Sequence, residues 1–360
     1  MTDRSLNAAW IVLFILLAIV VFSHDSSAQG TSSATKPDSN PTFVLKQFSA
    51  GQPIRLIAYG DMRFTDPKIT EGTNPRVRQW LAQKIGQEKP QALLVTGDMP
   101  FIGDKKADWE EYQRETASWK EGGFPVFPTI GNHEITHVRE KGIANYLDNY
   151  PMLEGHRYYS AVLGSVEVLS LDMTEAVSAR SEQGRWFVAQ LEHLPASVDF
   201  LLILYHLPWV ADTQSQLVAS LPSKDALALR ALVEEHASHM HARVLVFSGH
   251  IHNYERFERH GVEYIVTGGG GAVPYPILFR GSHDLYRDTG FPVYNYVTLE
   301  VKDRQLHAVM WKVIDPEAAS LNVEAKDSFV VKANAATQPK VKKPCPSHRE
   351  SYLPRARLGL

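Results

Sequence analysis

Five short apolar runs punctuate the chain, and each one stops at a polar side chain. Residues 54 to 59 run into Gly60-Asp61, 92 to 95 into Gly97-Asp98, and 126 to 130 into Gly131-Asn132-His133-Glu134. Further on, 200 to 204 run into Tyr205-His206, and 244 to 247 into Ser248-Gly249-His250-Ile251-His252. Runs this short, apolar at nearly every position, read as strands buried on both faces. Between the first three, apolar residues recur at helical spacing. Val77, Trp80, Leu81 and Ile85 make one stripe within 74–87, and Trp109, Tyr112 and Thr116 another within 108–120. The strand–loop–helix alternation predicts an α/β layered fold with polar groups gathered at the carboxyl ends of strands. Further along, 158–162 and 166–171 predict a hairpin around Gly164, and 182–194 and 224–239 predict helices. A strand at 264–267 leads into the run Gly268 to Gly271, and 294–301 with 306–314 predict closing antiparallel strands. No internal repeat is visible.

The ends differ in character. Arg4 precedes an uncharged apolar run from Ala8 to Phe22, short for a membrane span and of a length suited to a secretory leader. With small residues at Ser26 and Ala28, residues 1–28 are expected to be a signal peptide, the alternative being an uncleaved membrane anchor. Either way the folded part is expected to be exported, periplasmic or secreted. Residues 29–50 read as a flexible linker, 51–315 as the folded domain, and 316–360 as a polar, Lys-rich, disordered tail. Contact with a membrane is expected only through the N-terminal segment.

Composition narrows the chemistry. Cys345 is the sole cysteine, so an intramolecular disulfide and a thiolate metal site are both excluded. A net charge of -3 gives no global pull toward nucleic acid, and none is expected as a partner. Any one of the strand-end residues has an ordinary explanation, a turn aspartate or a core histidine. Five strands each delivering Asp, Asn or His at the same end do not. Carboxylate, amide oxygen and imidazole form a mixed oxygen and nitrogen set suited to Mn, Zn, Fe or a similar ion.

In their order, Gly60-Asp61, Gly97-Asp98, Gly131-Asn132-His133-Glu134, His206 and Gly249-His250-Ile251-His252 resemble the motifs of the calcineurin-like metallophosphoesterase superfamily. The run Gly249 to Arg256 (GHIHNYER), Tyr264 to Gly271 (YIVTGGGG) and Gln183 to Trp186 further resemble its purple acid phosphatase branch. The resemblance covers about residues 54–314 and implies a four-layer sandwich of two mixed β-sheets flanked by helices. It implies two divalent or trivalent metal ions. Asp98 would bridge them, Asp61 and His252 would hold the first, and Asn132, His206 and His250 would complete the second. His133 would contact the phosphate and assist the leaving group of a small phosphorylated substrate. Hydroxide generated at the ions would attack phosphorus in line. Glu134 either orients His133 or a metal ligand, or is a plain helix cap or surface acid. Tyr254 is expected at the substrate pocket, or with Arg256 as a brace for its loop.

Two positions depart from the family pattern. Arg63 stands where the first motif carries a ligand histidine, and Phe101 where the purple acid phosphatase branch carries a tyrosine ligand. Both thin the first metal's ligands to Asp61, Asp98 and His252. Arg63 either projects into the site and clamps a phosphate oxygen, or turns to solvent or pairs with Asp66 or Asp104. A protein that keeps the fold and binds a phosphorylated ligand without efficient turnover is the rival reading.

Overall fold

The computed structural model describes residues 38–334 apart from 217, 218, 220 and 221. The expected signal peptide, the first part of the linker and residues 335–360 lie outside the described residues. Among the described residues thirteen strands form two mixed sheets. The seven-stranded sheet has the order β1 (Phe43–Val44), β5 (Tyr159–Leu163), β6 (Val166–Ser170), β7 (Phe200–Leu204), β8 (Arg243–Ser248), β10 (Val262–Thr267), β9 (Tyr254–Arg259). The six-stranded sheet has the order β13 (Val323–Lys332), β12 (Gln305–Val313), β11 (Asn295–Lys302), β2 (Ile54–Tyr59), β3 (Ala92–Val95), β4 (Val126–Pro128).

The apolar runs fold as strands because both of their faces are covered. In β7, Phe200, Leu202 and Leu204 point into the core shared by the two sheets, while Leu201 and Ile203 point to the opposite face. That outer face is covered by α5 (Glu182–Glu192) and α7 (Lys224–Ala237), through Phe187, Leu191, Leu229 and Val233. The other sheet is covered by α1 (Pro75–Glu88), α2 (Lys106–Glu115), α3 (Ala117–Gly122) and α4 (Arg139–Asn149), whose Val77, Leu81, Trp109, Trp119 and Tyr146 are buried. The fold is thus the expected helix–sheet–sheet–helix sandwich. A single turn, α6 (Thr213–Gln216), completes the helices among the described residues.

Strand directions gather the polar ends. β2, β3 and β4 run parallel in one sheet. β6, β7, β8 and β10 run parallel in the other. The carboxyl ends therefore open at a common edge, where ligands bind in open α/β sheets.

The domain is longer than the composition suggests. Residues 316–334 are not a disordered tail: β13 pairs with β12 from Val313↔Val323 to Gln305↔Lys332. It is an edge strand with most of one face in water, so its sequence is half polar and lacks the apolar run of a buried strand. The linker assignment fails likewise at Phe43–Val44, which pairs in parallel with β5. The predicted helix at 108–120 is two helices meeting at Thr116, whose hydroxyl donates to the Tyr112 carbonyl at 2.7 Å.

Candidate metal centre

The site is built from backbone that most side chains avoid. Asp61, Arg63, Asp98 and His250 all have positive φ, at 58°, 54°, 56° and 66°. Such left-handed residues other than glycine cost roughly 1–3 kcal/mol each and persist where the surroundings over-determine them. Here they turn the chain sharply as it leaves β2, β3 and β8, which aims the side chains inward. Gly97 precedes Asp98 at φ 98°, and a Cβ there would meet His206 Nδ1 at 2.6 Å, so only glycine fits.

Two groups of donors result. In the first group, Asn132 Oδ1 lies 3.2 Å from His206 Nε2 and 3.0 Å from His250 Nδ1, and His206 Nε2 lies 3.3 Å from Asp98 Oδ1. Atoms bonded at about 2.1 Å to one shared ion stand about 3.0–3.5 Å apart, and these contacts fall in that range. In the second, His252 Nε2 lies 3.7 Å from Asp61 Oδ1, buried and with no hydrogen-bond partner. Asp61, Asp98 and His206 bring one ligand atom each within 4.8 Å of one another, and all three are fully buried. Asn132, His133, His250 and Arg63 lie above them and are partly open to solvent.

Backbone carbonyls set the imidazoles. His206 Nδ1–H donates to Thr96 O at 2.7 Å, His252 Nδ1–H to Val273 O at 2.8 Å, and His133 Nδ1–H to Phe101 O at 2.6 Å. A carbonyl can only accept, so each ring is held with Nε2 facing the site. Burial, with His206 beside it, pushes His250 down to about 3, and burial with Arg63 nearby pushes His252 well below its ordinary value. Both rings are therefore neutral, the form that binds metals.

The carboxylates divide. Burial would raise Asp98, but His206, His133, Arg63 and the His133 backbone N–H outweigh it and hold the group far below the usual range. Asp61 moves the other way, raised by burial and by its neighbour Asp98. It accepts the His250 N–H on both oxygens, at 2.9 and 3.0 Å. Two buried carboxylates, a buried imidazole nitrogen without a partner and neutral rings aimed inward form a donor set that fits a cation.

Arg63 does not turn to solvent. Its Nη2 lies 3.4 Å from Asp98 Oδ2, its side chain is 15 % exposed, and its buried Nε has no partner. Asp104 is instead beside His137, at 3.7 Å. Phe101 lies over His133, the rings 5.8 Å apart, and its side chain brings no oxygen to the site.

Two expectations need correction. Tyr254 does not line the pocket: it is fully buried, and its hydroxyl donates to Asp327 Oδ2 at 2.9 Å. The reason is that Tyr254 begins strand β9, which the sequence suggested was still loop, and strand alternation turns it inward. Glu134 is neither a surface acid nor a partner of the His133 ring. It is buried and accepts the backbone N–H groups of Asp98, Met99 and Gly131 at 3.1, 2.7 and 2.7 Å. Burial and the nearby Asp98 raise it to about 8. It holds the Asp98 turn in shape. The four-glycine run approaches the Gly60 turn closely: Gly270 N–H donates to Gly60 O at 2.9 Å.

One residue escaped the sequence reading. The Tyr275 ring stacks on His252, centroids 4.4 Å apart and planes at 18°, and its N–H donates to His252 O at 3.1 Å. It lies in an irregular stretch after the glycine run with no ligand-like neighbour, so no local pattern marks it.

Set beside known proteins, the chain matches the calcineurin-like phosphoesterase family over residues 54–268. That is more than half of its length, and the chain belongs to this family. Within the family its similarity is to the purple acid phosphatase branch. It is 25% identical over 255 residues to purple acid phosphatase 21 of Arabidopsis thaliana, covering 64% of this chain and 52% of that protein. It is 28% identical over 250 residues to purple acid phosphatase 15 of the same plant, covering 64% and 42%. The chain thus spans about half the length of these curated relatives. Among solved structures, purple acid phosphatase PPD1 from yellow lupin (Lupinus luteus) seeds aligns with a TM-score of 0.57 at 16% identity, over 79% of this chain and 54% of that one. GAP50, the anchor in the inner membrane complex of Plasmodium, aligns with a TM-score of 0.51 at 15% identity, over 78% and 89%. Both show the shared fold.

Proposed function

We propose that this protein is an exported, metal-dependent hydrolase of small phosphate esters. The observation that carries the reading is the convergence of Asp98, Asn132, His206 and His250 on one point, with Asp61 and His252 beside it. Asp98, Asn132, His206 and His250 would hold one ion, and Asp61, His252 and a shared Asp98 a second, less completely. Bound there, Mn, Zn, Fe or a similar ion would acidify water and neutralise charge on the phosphoryl oxygens.

The chain's own groups do the rest. Arg63 brings a fixed positive charge to the edge of Asp98, and its planar fork suits two phosphate oxygens at once. It offsets part of the charge that a fuller first metal site would carry. His133, held through Nδ1 on the Phe101 carbonyl, presents Nε2 on the open side of Asp98, at 3.9 Å. From there it can hand a proton to the departing alkoxide, which leaves poorly without one. Export is supported by the apolar leader-like segment of the sequence. Among the described residues no helix is long and apolar enough to cross a membrane.

A leaving-group series tests the role of His133. In His133→Ala, hydrolysis of an alkyl phosphate falls about 10²–10⁴-fold, while an ester of a strongly acidic phenol loses much less. Equal losses for both esters would remove His133 from that role. The second reading, a ligand-binding protein with little turnover, is favoured by Phe101, which withdraws a ligand from the first site. The same fold in an anchor protein shows that architecture alone does not decide between them.

A further inference from the structure

We infer that Tyr275 is a positioning residue for the first metal site: its ring, stacked on His252, fixes the direction of that imidazole and so sets how firmly the first ion is held. This rests on the reading of Asp61, Asp98 and His252 as ligands, and it names what supports the least complete part of that set.

One hydrogen bond does not fix the His252 ring. Its Nδ1–H donates to Val273 O at 2.8 Å, and among the described residues its Nε2 has no hydrogen-bond partner. A ring held at one atom can swing about that bond and carry Nε2 off line. The Tyr275 ring lies nearly parallel to it, planes 18° apart and centroids at 4.4 Å, and covers one face. Tyr275 N–H also donates to His252 O at 3.1 Å, so the stacked residues are tied through the backbone as well. Contacts of this kind, outside the ligands themselves, orient a ligating histidine.

The same short segment reaches the other ligand private to this site. Ala272 N–H donates to Asp61 O at 2.8 Å. Residues 272–275 therefore touch both Asp61 and His252. The segment is in turn fixed to the start of α1. Val273 N–H donates to Gly72 O at 3.3 Å, and Ala272 bridges to Thr73. Asn74 N–H donates to Gly271 O at 2.7 Å, while the Asn74 side chain caps the helix. The second ion's ligands are set from elsewhere: His206 Nδ1–H donates to Thr96 O, and Asn132 O accepts the Thr136 hydroxyl at 3.0 Å. Loss of the Tyr275 ring should therefore be felt at one ion and not at the other.

Zinc binding to the whole chain, measured by competition with a chromophoric chelator, reads the two ions separately. Tyr275→Ala should weaken the looser ion about 10- to 100-fold, the usual worth of an outer contact to a ligating histidine, and leave the tighter one unchanged. Tyr275→Phe keeps the ring and drops the hydroxyl, and it should keep both constants. Unchanged constants in Tyr275→Ala, equal weakening of both ions, or the same loss in Tyr275→Phe would each overturn the inference. A single bound ion in the unmodified protein would overturn it too, because no first ion would then depend on the ring. No zinc binding at all would instead overturn the reading of these residues as a metal centre. Should Tyr275→Ala fail to fold, Tyr275→Leu fills the space without a flat face and carries the same expectation.

Discussion

Arg63 is the residue on which the chemistry turns. A guanidinium 3.4 Å from Asp98 Oδ2 competes for the same carboxylate edge that a first-site ion would use. One ion held tightly and one held loosely are therefore expected. Arg63→Ala should lower kcat/KM for a phosphate ester about 10- to 100-fold, the worth of one charge-assisted hydrogen bond. The same change should bring the chain closer to two tight ions per molecule by elemental analysis. Two tight ions in the unmodified protein, with unchanged kinetics in the variant, would contradict this. Phe101 carries a separate expectation. Its side chain has no oxygen, so the protein loaded with iron should show no purple tyrosinate-to-iron absorption band. Finding that band in the visible spectrum would overturn the reading of Phe101.

At the scale of elements, legibility follows burial. β2, β3, β7 and β8 were readable because each is covered on both faces and so is apolar at almost every position. Their polar ends were readable for the same reason, since Asp61, Asp98, His206 and His252 interrupt a pattern that packing alone would continue. β9 and β13 were not readable. Each edges a sheet, and sequences such as Tyr254–Arg259 (YERFER) mix charge and ring in the manner of loops. What identifies them is long-range and absent from any local window. Asp327 on β13 accepts from the Tyr254 hydroxyl at 2.9 Å and from Arg256 Nε at 2.7 Å, and the Arg256 guanidinium lies 4.5 Å from the Phe329 ring centre. The strand taken for a tail thus fastens the edge of one sheet to the edge of the other. Asp327→Ala leaves a largely buried Arg256 and a buried Tyr254 hydroxyl without their shared acceptor. It should cost about 3–5 kcal/mol, read as a lower Tm, and removal of the chain after residue 316 should cost more. A variant as stable as the parent would show that the fastening carries no weight.

At the scale of the whole molecule, Glu167 carries a titration cost whose cause is burial alone. Glu167 sits on β6 with Oε2 buried and unpartnered, and burial alone raises it to about 7 from an ordinary 4.5. Because its folded pKa is the higher one, the native chain holds the proton more tightly than the unfolded chain between those two values. Stability from this group is therefore full below about pH 4.5 and lost as pH rises through about 7. Glu167→Gln should raise Tm at pH 8 and change it little at pH 4.5, with a gain of at most about 3 kcal/mol. A gain equal at both pH values would place the effect in packing.

The layers, strand directions and strained turns of the fold converge on one claim, that this chain hydrolyses phosphate esters with metal held at Asp98. The most direct measurement is release of phenol from phenyl phosphate by the purified protein supplied in turn with Mn, Zn, Fe and Co. Metal-dependent turnover that Asp98→Asn abolishes is the predicted result. No turnover with any of the four metals would contradict the account and leave a phosphate-binding protein in its place.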